Sequence, residues 1–268
     1  MDERASQPPG GDLSRELVKR LLYDAGRFKT QEEMISFIVP AYNEELELPS
    51  TISAIRAAAE KTGNYEIIVV DDASTDATAE IAAKASTQVE SVDRRQIAAA
   101  RNAGARAARG EVLFFVDADT RISPAHVVDA IAALGSGCSG GSARIFADGS
   151  IPLWGRVFIK AFCGIYFALN LGAGAFLFTT RKNFDAIGGF NEELFIGEEI
   201  FFSLALRKLG RFKLLREPVV TSGRKLRMYS APEIFANSFA VITGGMRAAR
   251  SRDKLELWYG GKRETRST

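Results

Sequence analysis

Glu111-Val-Leu-Phe-Phe-Val-Asp-Ala-Asp-Thr120 is an apolar run that ends in two carboxylates, Asp117 and Asp119, one residue apart. The run reads as a buried strand, and Asp-Ala-Asp-Thr as loop. Strand side chains alternate faces, so a bend after Val116 is needed before both carboxylates can approach one cation and its bound phosphate. Mg2+ or Mn2+ suits such a pair, because hard cations take carboxylate and phosphate oxygens while keeping water.

Two upstream segments repeat the pattern. Ile35-Ser-Phe-Ile-Val-Pro40 leads into Ala41-Tyr-Asn-Glu-Glu45, and Glu66-Ile-Ile-Val-Val70 leads into Asp71-Asp-Ala-Ser-Thr-Asp76. Three buried parallel strands thus present acids at one rim, the carboxyl edge where open α/β sheets bind ligands. Helical patterns lie between them, near Leu46 to Lys61, Thr75 to Lys84 and Arg95 to Arg109, so the order predicts βαβ winding and a largely parallel sheet. Asp71, Ser74 and Asp76 are expected to cap the helix starting near Ala77.

Here the chain resembles the family 2 glycosyltransferases of the GT-A fold. The matching pieces are Ile38-Val-Pro-Ala-Tyr-Asn-Glu44, Val69-Val-Asp-Asp-Ala-Ser-Thr-Asp76, Ala100-Arg-Asn-Ala-Gly104, Phe115-Val-Asp-Ala-Asp119, Gly188-Gly-Phe-Asn-Glu192 and Gly197-Glu-Glu199, in family order over residues 35 to 222. Six such pieces in order are far more specific than any one alone. The resemblance implies an inverting, metal-dependent enzyme that moves a sugar from a nucleoside diphosphate sugar to an acceptor sugar, lipid or small molecule.

By resemblance, Asp119 is the direct metal ligand, and Asp117 touches ribose or metal-bound water with Ala118 beside it. Asp72 accepts a hydrogen bond from the nucleobase, which favours UDP, while Pro40, Ala41, Tyr42 and Glu44 line the base and ribose pocket. Arg101 either approaches the diphosphate or is solvated, as helix arginines commonly are. Glu199 stands where the family has the Asp of Glu-Asp, so the base that deprotonates the acceptor is Glu199 or its neighbour Glu198. Both acids also suit the first turn of a helix over Glu198 to Leu209, whose inward residues are expected to be Phe201, Leu204, Ala205 and Leu209.

Competing classes fit less well. Pro40-Ala-Tyr-Asn-Glu stands where a Rossmann dehydrogenase would have a glycine-rich turn. A nucleotidyltransferase could use the same acids with Mg2+, and a non-catalytic scaffold is disfavoured by the intact acids. The Gln-x-x-Arg-Trp stretch of the processive synthases does not occur, which predicts one sugar per encounter.

With 35 Lys plus Arg against 33 Asp plus Glu, a formal charge of +2 generates no field to recruit nucleic acid or anionic lipid over the whole molecule. Cys138 and Cys163 lack zinc or disulfide spacing and read as small fillers. Met1-Asp-Glu-Arg lacks the apolar stretch of a secretory signal and points to the cytoplasm. The apolar segment Ala161 to Phe178 is broken by Gly172 and Gly174 and reads as a buried helix followed by a strand rather than a membrane span.

Three regions are expected: residues 1–34 with a disordered start and a helix over Leu13 to Arg27, one large domain over 35–230, and a carboxyl-terminal helix and basic tail over 231–268. Arg224, Lys225, Arg227, Arg247, Arg250, Arg252 and Lys254 surround that last helix, which either packs on the domain or lies on an anionic membrane surface. Ser123-Pro-Ala starts a helix with Ser as cap. Gly135 to Ser142 is read as a turn before an inner strand, Ala143 to Phe146, near the sugar pocket. His126 is read as a surface or packing residue, and Trp154 and Phe158 as core.

Overall fold

The computed structural model describes residues 34–60, 62–149, 151–230, 232–234 and 249–251. Its strands are β1 (Ile35–Ala41), β2 (Tyr65–Asp72), β3 (Gln88–Val92), β4 (Val112–Val116), β5 (Thr120–Arg121), β6 (Cys138–Ala147), β7 (Phe176–Thr180) and β8 (Arg211–Thr221). They form one sheet in the order β3-β2-β1-β4-β7-β6-β8-β5. The first four strands pair in parallel, whereas β7 runs antiparallel to both β4 and β6, and β5 antiparallel to β8. The expected parallel winding therefore holds for the first half of the sheet and gives way to mixed pairing in the second.

The period of two along each strand builds two cores. Phe37, Val39, Ile67, Val69, Phe114, Phe176 and Phe178 face one side. Ile38, Ile68, Val70, Leu113, Phe115 and Leu177 face the other. Burial on both faces is why these strands read as continuous apolar runs. Phe37 stacks on Phe114 at 5.0 Å on one side, and Phe115 meets Phe190 edge to face at 5.0 Å on the other.

The helices are α1 (Leu48–Ala59), α2 (Thr78–Lys84), α3 (Ile97–Ala107), α4 (Pro124–Gly135), α5 (Leu153–Ala168), α6 (Arg181–Ile187), α7 (Glu198–Leu209) and α8 (Arg224–Met228). Gly104 lets α3 lie flat on the sheet, since a Cβ there would sit 2.4 Å from the Ile38 methyl and 2.8 Å from that of Val70. Ser123 caps α4 in a reciprocal box with His126. His126 is buried, with its second ring nitrogen 3.2 Å from the Glu217 carbonyl, so it is a packing residue rather than a surface one.

Several expectations change. The strand placed at Ala143 already begins at Cys138, and Gly140 and Gly141 lie inside it, where a Cβ on Gly141 would meet the Lys213 carbonyl at 2.2 Å. On α7 the inward residues are Phe202, Ser203 and Leu206, while Phe201, Leu204 and Leu209 are exposed. Two apolar sets at helical spacing interleave on this helix, and packing against α6 and β6 selects the other one. Among the described side chains of α5 and its end, Leu153, Val157 and Leu169 are exposed while Trp154 is partly buried against Tyr229 and Ile234; the side chain of Phe158, also expected in the core, lies outside those described. No helix among the described residues is long and apolar enough to cross a membrane.

The helix expected over Leu13 to Arg27 and the disordered start lie outside the described residues. So does most of the segment 231–250, although Ile234 and Ala249 are buried. Ile234 packs with Tyr229, Met228 and Trp154, and Arg250 pairs with Glu193 at 2.7 Å. Cys138 is buried and Cys163 partly so, both as free thiols.

Candidate active site

Strand β1 is flanked by β2 on one side and β4 on the other, so chain connections leave it in opposite directions and open a crevice at the strands' carboxyl ends. A cleft of about 320 Å³ occupies this position. Pro40, Ala41, Tyr42 and Glu44 line it from the end of β1, Asp72 from β2, Arg101 from α3, Asp117, Ala118 and Asp119 from the end of β4, and Glu198 and Glu199 from the start of α7. The structure thus brings the candidate catalytic, donor-binding and metal-binding residues named from the sequence to one cavity.

The loops after β1 and β2 are sewn together. Asn43, held at a left-handed φ of 51°, receives the Thr75 amide at 2.7 Å while its own amide donates to Ser74 Oγ at 2.9 Å. Glu44 N donates to Thr78 Oγ1 at 2.8 Å and Glu45 N to Asp76 Oδ2 at 3.2 Å. This corrects the capping expectation. Only Asp76 serves α2, accepting from Thr78 N at 3.0 Å; Ser74 bridges the loops, and Asp71 Oδ1 is buried without a hydrogen-bond partner.

Asp72 organises the next loop. Its Oδ1 accepts from the amides of Arg94 and Arg95 at 2.8 and 2.7 Å, and its Oδ2 from that of Gln96 at 2.7 Å. A carboxylate has about four acceptor positions, so Oδ2 retains one for a ligand. The Arg95 guanidinium covers the Tyr42 ring at 3.2 Å, giving the cleft a cation on an aromatic face where the β1 and β2 loops meet.

At the centre lies Arg101, which is 1% exposed despite the helix position that suggested a solvated side chain. Its Nη1 donates to Glu198 Oε1 at 2.7 Å and its Nη2 to Asp117 Oδ1 at 2.9 Å and the Gly174 carbonyl at 3.0 Å. One guanidinium therefore ties the acid at the end of β4 to the acid that opens α7. The bend expected after Val116 is present: Asp117 N donates to Ala175 O, and Thr120 N closes a turn on Asp117 O at 3.0 Å. Asp119 is then carried to β8, where Thr221 Oγ1 donates to its Oδ1 at 3.2 Å and Arg224 Nη2 lies 3.3 Å from its Oδ2.

Among the described residues no cluster of three or more His, Cys, Asp and Glu side chains is arranged to hold a cation by itself. The chemistry of the pair nonetheless fits a hard divalent ion whose remaining ligands are phosphate oxygens and water. Burial raises the Asp117 carboxyl above its ordinary range and Asp119 adds to the rise, with Arg101 opposing both.

The acid at the other end behaves differently. Burial and the neighbouring Glu198 push Glu199 up to about 8, with Arg101 pulling it back. A carboxyl poised near neutrality can exchange a proton at working pH. The Tyr166 hydroxyl of α5 donates to the Gly172 carbonyl at 2.8 Å and lies 3.4 Å from Glu199 Oε1. Burial, then Glu199, keeps the Tyr166 hydroxyl protonated.

The Gly-Gly-Phe-Asn-Glu segment supports this acid end. Asn102 Nδ2 donates to the Phe190 carbonyl and to Glu192 Oε1, both at 2.9 Å, and Phe190 N returns a bond to Asn102 Oδ1 at 2.9 Å. Gly197, at a φ of 78°, then turns the chain into α7 so that both glutamates open its first turn.

Arg224 and Tyr166 were not singled out as site residues by sequence reasoning. Arg224 reads in the sequence as one of the cations around the last helix, yet its Nη1 and Nη2 both donate to Glu44 and its side chain is 11% exposed. Of its companions, Arg227 donates to the Asp148 carbonyl at 3.1 Å, while Arg247, Arg252 and Lys254 lie outside the described residues. Strand β6, expected near the sugar pocket, lies in the same sheet beyond β7 and lends the cleft no lining residue; its Ser142 Oγ instead receives the Ala173 amide at 2.9 Å.

Comparison with known proteins places this cleft in context. The profile described as Glycosyl transferase family 2 matches residues 36–190, more than half of the chain. An undecaprenyl-phosphate 4-deoxy-4-formamido-L-arabinose transferase from Aeromonas hydrophila is 33% identical over 106 residues, 37% of this chain and 32% of that protein. The chain thus matches about a third of the length of such a relative. Among solved structures, the mannosyltransferase PcManGT from Pyrobaculum calidifontis in complex with GDP-Man and Mn2+ has a TM-score of 0.61 at 19% identity, covering 92% of this chain and 75% of that one. Glucosyl-3-phosphoglycerate synthase from Mycobacterium tuberculosis, with Mn2+, UDP and phosphoglyceric acid, has a TM-score of 0.59 at 19% identity, covering 92% and 84%. At these identities the likeness concerns the fold, which is that of the GT-A glycosyltransferases.

Proposed function

The chain belongs to glycosyl transferase family 2, and from that premise we propose that it is an inverting, metal-dependent glycosyltransferase. It moves one sugar from a nucleoside diphosphate sugar, UDP-linked in the first instance, to an acceptor hydroxyl. The observation that carries the reading is Arg101, whose single buried guanidinium joins Asp117 to Glu198 and so fixes the distance between an oxygen-donor end and an acid end of one cleft.

In this reading the base and ribose lie along Pro40, Ala41, Tyr42 and Glu44, with the remaining acceptor position of Asp72 Oδ2 facing a pyrimidine N–H. Asp119 holds a divalent ion and Asp117 its bound water or the ribose; the ion, Mg2+ or Mn2+, supplies charge neutralisation for the departing diphosphate. Glu199 accepts the proton of the acceptor hydroxyl as that oxygen bonds to the anomeric carbon, and the bond from carbon to diphosphate oxygen breaks on the opposite face. A single displacement of this kind inverts the centre and needs no second nucleophile. Arg101 keeps Glu198 and Asp117 apart and lowers the proton affinity of Glu199.

The Aeromonas relative is named for a lipid phosphate acceptor, which makes a polyprenyl phosphate the second acceptor class to try, met at the inner face of a membrane. A phosphate oxygen is already ionised near neutral pH and asks for no base. Transfer assays with UDP-, GDP- and dTDP-sugars therefore carry both acceptor classes, each with wild type and Glu199→Gln. Turnover lost in the variant supports a hydroxyl acceptor; equal turnover in both proteins removes Glu199 from the base role. Diphosphate release from a nucleoside triphosphate and a sugar phosphate would instead identify a nucleotidyltransferase.

A further inference from the structure

Both oxygens of Asp119 are engaged by the end of β8 and the turn that follows it. Thr221 Oγ1 donates to Oδ1 at 3.2 Å, Arg224 Nη2 stands 3.3 Å from Oδ2, and the Ser222 amide donates to the Asp119 carbonyl at 3.1 Å. The two contacts of Arg224 differ, and its Nη2 takes part in both. Toward Glu44 it makes a two-pronged, charge-assisted contact, whereas toward Asp119 it has one longer approach.

A divalent ion on Asp119 Oδ2 would place a second cation where the guanidinium already stands. Like charges at such a spacing repel strongly in a partly buried cleft. Arg224 can give up its long arm without leaving, because the fork on Glu44 alone can hold it at the cleft wall.

We infer that Arg224 is the resident counter-ion of Asp119 in the donor-free protein: the metal must displace it from Oδ2, and the displaced guanidinium, still held by Glu44, turns to the negative charge of the incoming diphosphate. This rests on the reading of Asp119 as metal ligand. It adds a residue that opposes metal binding before the donor arrives and favours the donor once the metal is in place, so metal and nucleotide bind as a pair.

Electron paramagnetic resonance titration of Mn2+ alone into the full chain, followed by UDP titration at saturating Mn2+, tests the inference without turnover. Arg224→Gln is expected to take up Mn2+ on the order of tenfold more tightly than wild type, since a partly buried cation no longer competes, and UDP about tenfold more weakly. The opposite signs are what a merely structural role would not produce. Arg224→Lys keeps a charge but loses the fork, and is expected to fall between the two; if Arg224→Gln does not fold, the Lys variant decides. Mn2+ affinity that is unchanged or weakened in the variant, or absent from variant and wild type alike, overturns the inference. Asp119→Asn separates the failures. Mn2+ uptake that survives it overturns the ligand assignment and this inference together, whereas uptake that Asp119→Asn abolishes but Arg224→Gln leaves unchanged overturns this inference alone.

Discussion

Glu199 and Arg101 carry the sharpest expectations among single residues. Glu199→Gln should lose two to four powers of ten in transfer to a hydroxyl acceptor, roughly the worth of a general base, while donor affinity stays put; single-turnover kinetics beside calorimetry would separate the two. With Glu199 pushed up to about 8, most of it is protonated below that pH and cannot accept a proton. The rate should rise with pH toward about 8 and level off above it. Arg101 lowers the proton affinity of Glu199, so a folded Arg101→Gln variant should move that limb to higher pH. Removing the guanidinium also leaves Glu198 buried without its partner, a loss of about 3–5 kcal/mol in denaturant unfolding, as for broken buried pairs elsewhere. Stability that is untouched would mean that the buried pair is replaced without cost. The pairing was not legible beforehand, because a lone arginine on an alanine-rich helix carries no local mark of burial.

Helix α3 shows what an element contributes. Its Ala-Arg-Asn-Ala-Gly string sends Arg101 into the cleft and Asn102 to the Phe190 loop, and Gly104 brings the backbone close to β1 and β2. Gly104→Val would press branched methyls into Ile38 and Val70, costing about 1–3 kcal/mol by overpacking and lowering the melting temperature. A melting temperature at or above that of wild type would contradict the close approach. Asn102→Ala should unclip the Phe190 to Glu192 segment, reducing stability by about 1–3 kcal/mol through the orphaned Phe190 amide. Transfer should fall more than donor binding, because the segment leads to Glu199 and not to the loops after β1 and β2, where the nucleotide is proposed to lie. Strands with continuous apolar sequence were readable from their runs alone. The edge strand β3 was not, since Gln-Val-Glu-Ser-Val is short and half polar. The facing of helix α7 is not legible for a related reason: both of its apolar sets have the right period, and only the surface it meets chooses between them.

Across the whole molecule the cleft is assembled mainly from strand ends, and this is why so much of it could be read from local strings. Acids placed after apolar runs reach the same rim whenever the strands are parallel neighbours. Arg224 escaped that logic, because its place depends on β8 returning beside β5 to pair Thr120 with Thr221 across the sequence. Tyr166 escaped it through the fold of α5 over Gly172. We propose a division into 1–34, 35–230 and 231–268 in which the last region packs back on the domain, as Ala249 and Arg250 do on the Glu193 to Phe195 loop. Limited proteolysis should therefore spare a bond near Arg250 that a free tail would expose. Asp117 and Asp119 are proposed to place a divalent ion on a nucleoside diphosphate sugar within this cleft. Release of nucleoside diphosphate from the donor, followed with added Mn2+ and again with chelator, is the most direct test of that proposal. The account predicts turnover that chelator abolishes, Mn2+ restores and Asp119→Ala removes; release that proceeds undiminished in chelator, or in Asp119→Ala, would contradict it.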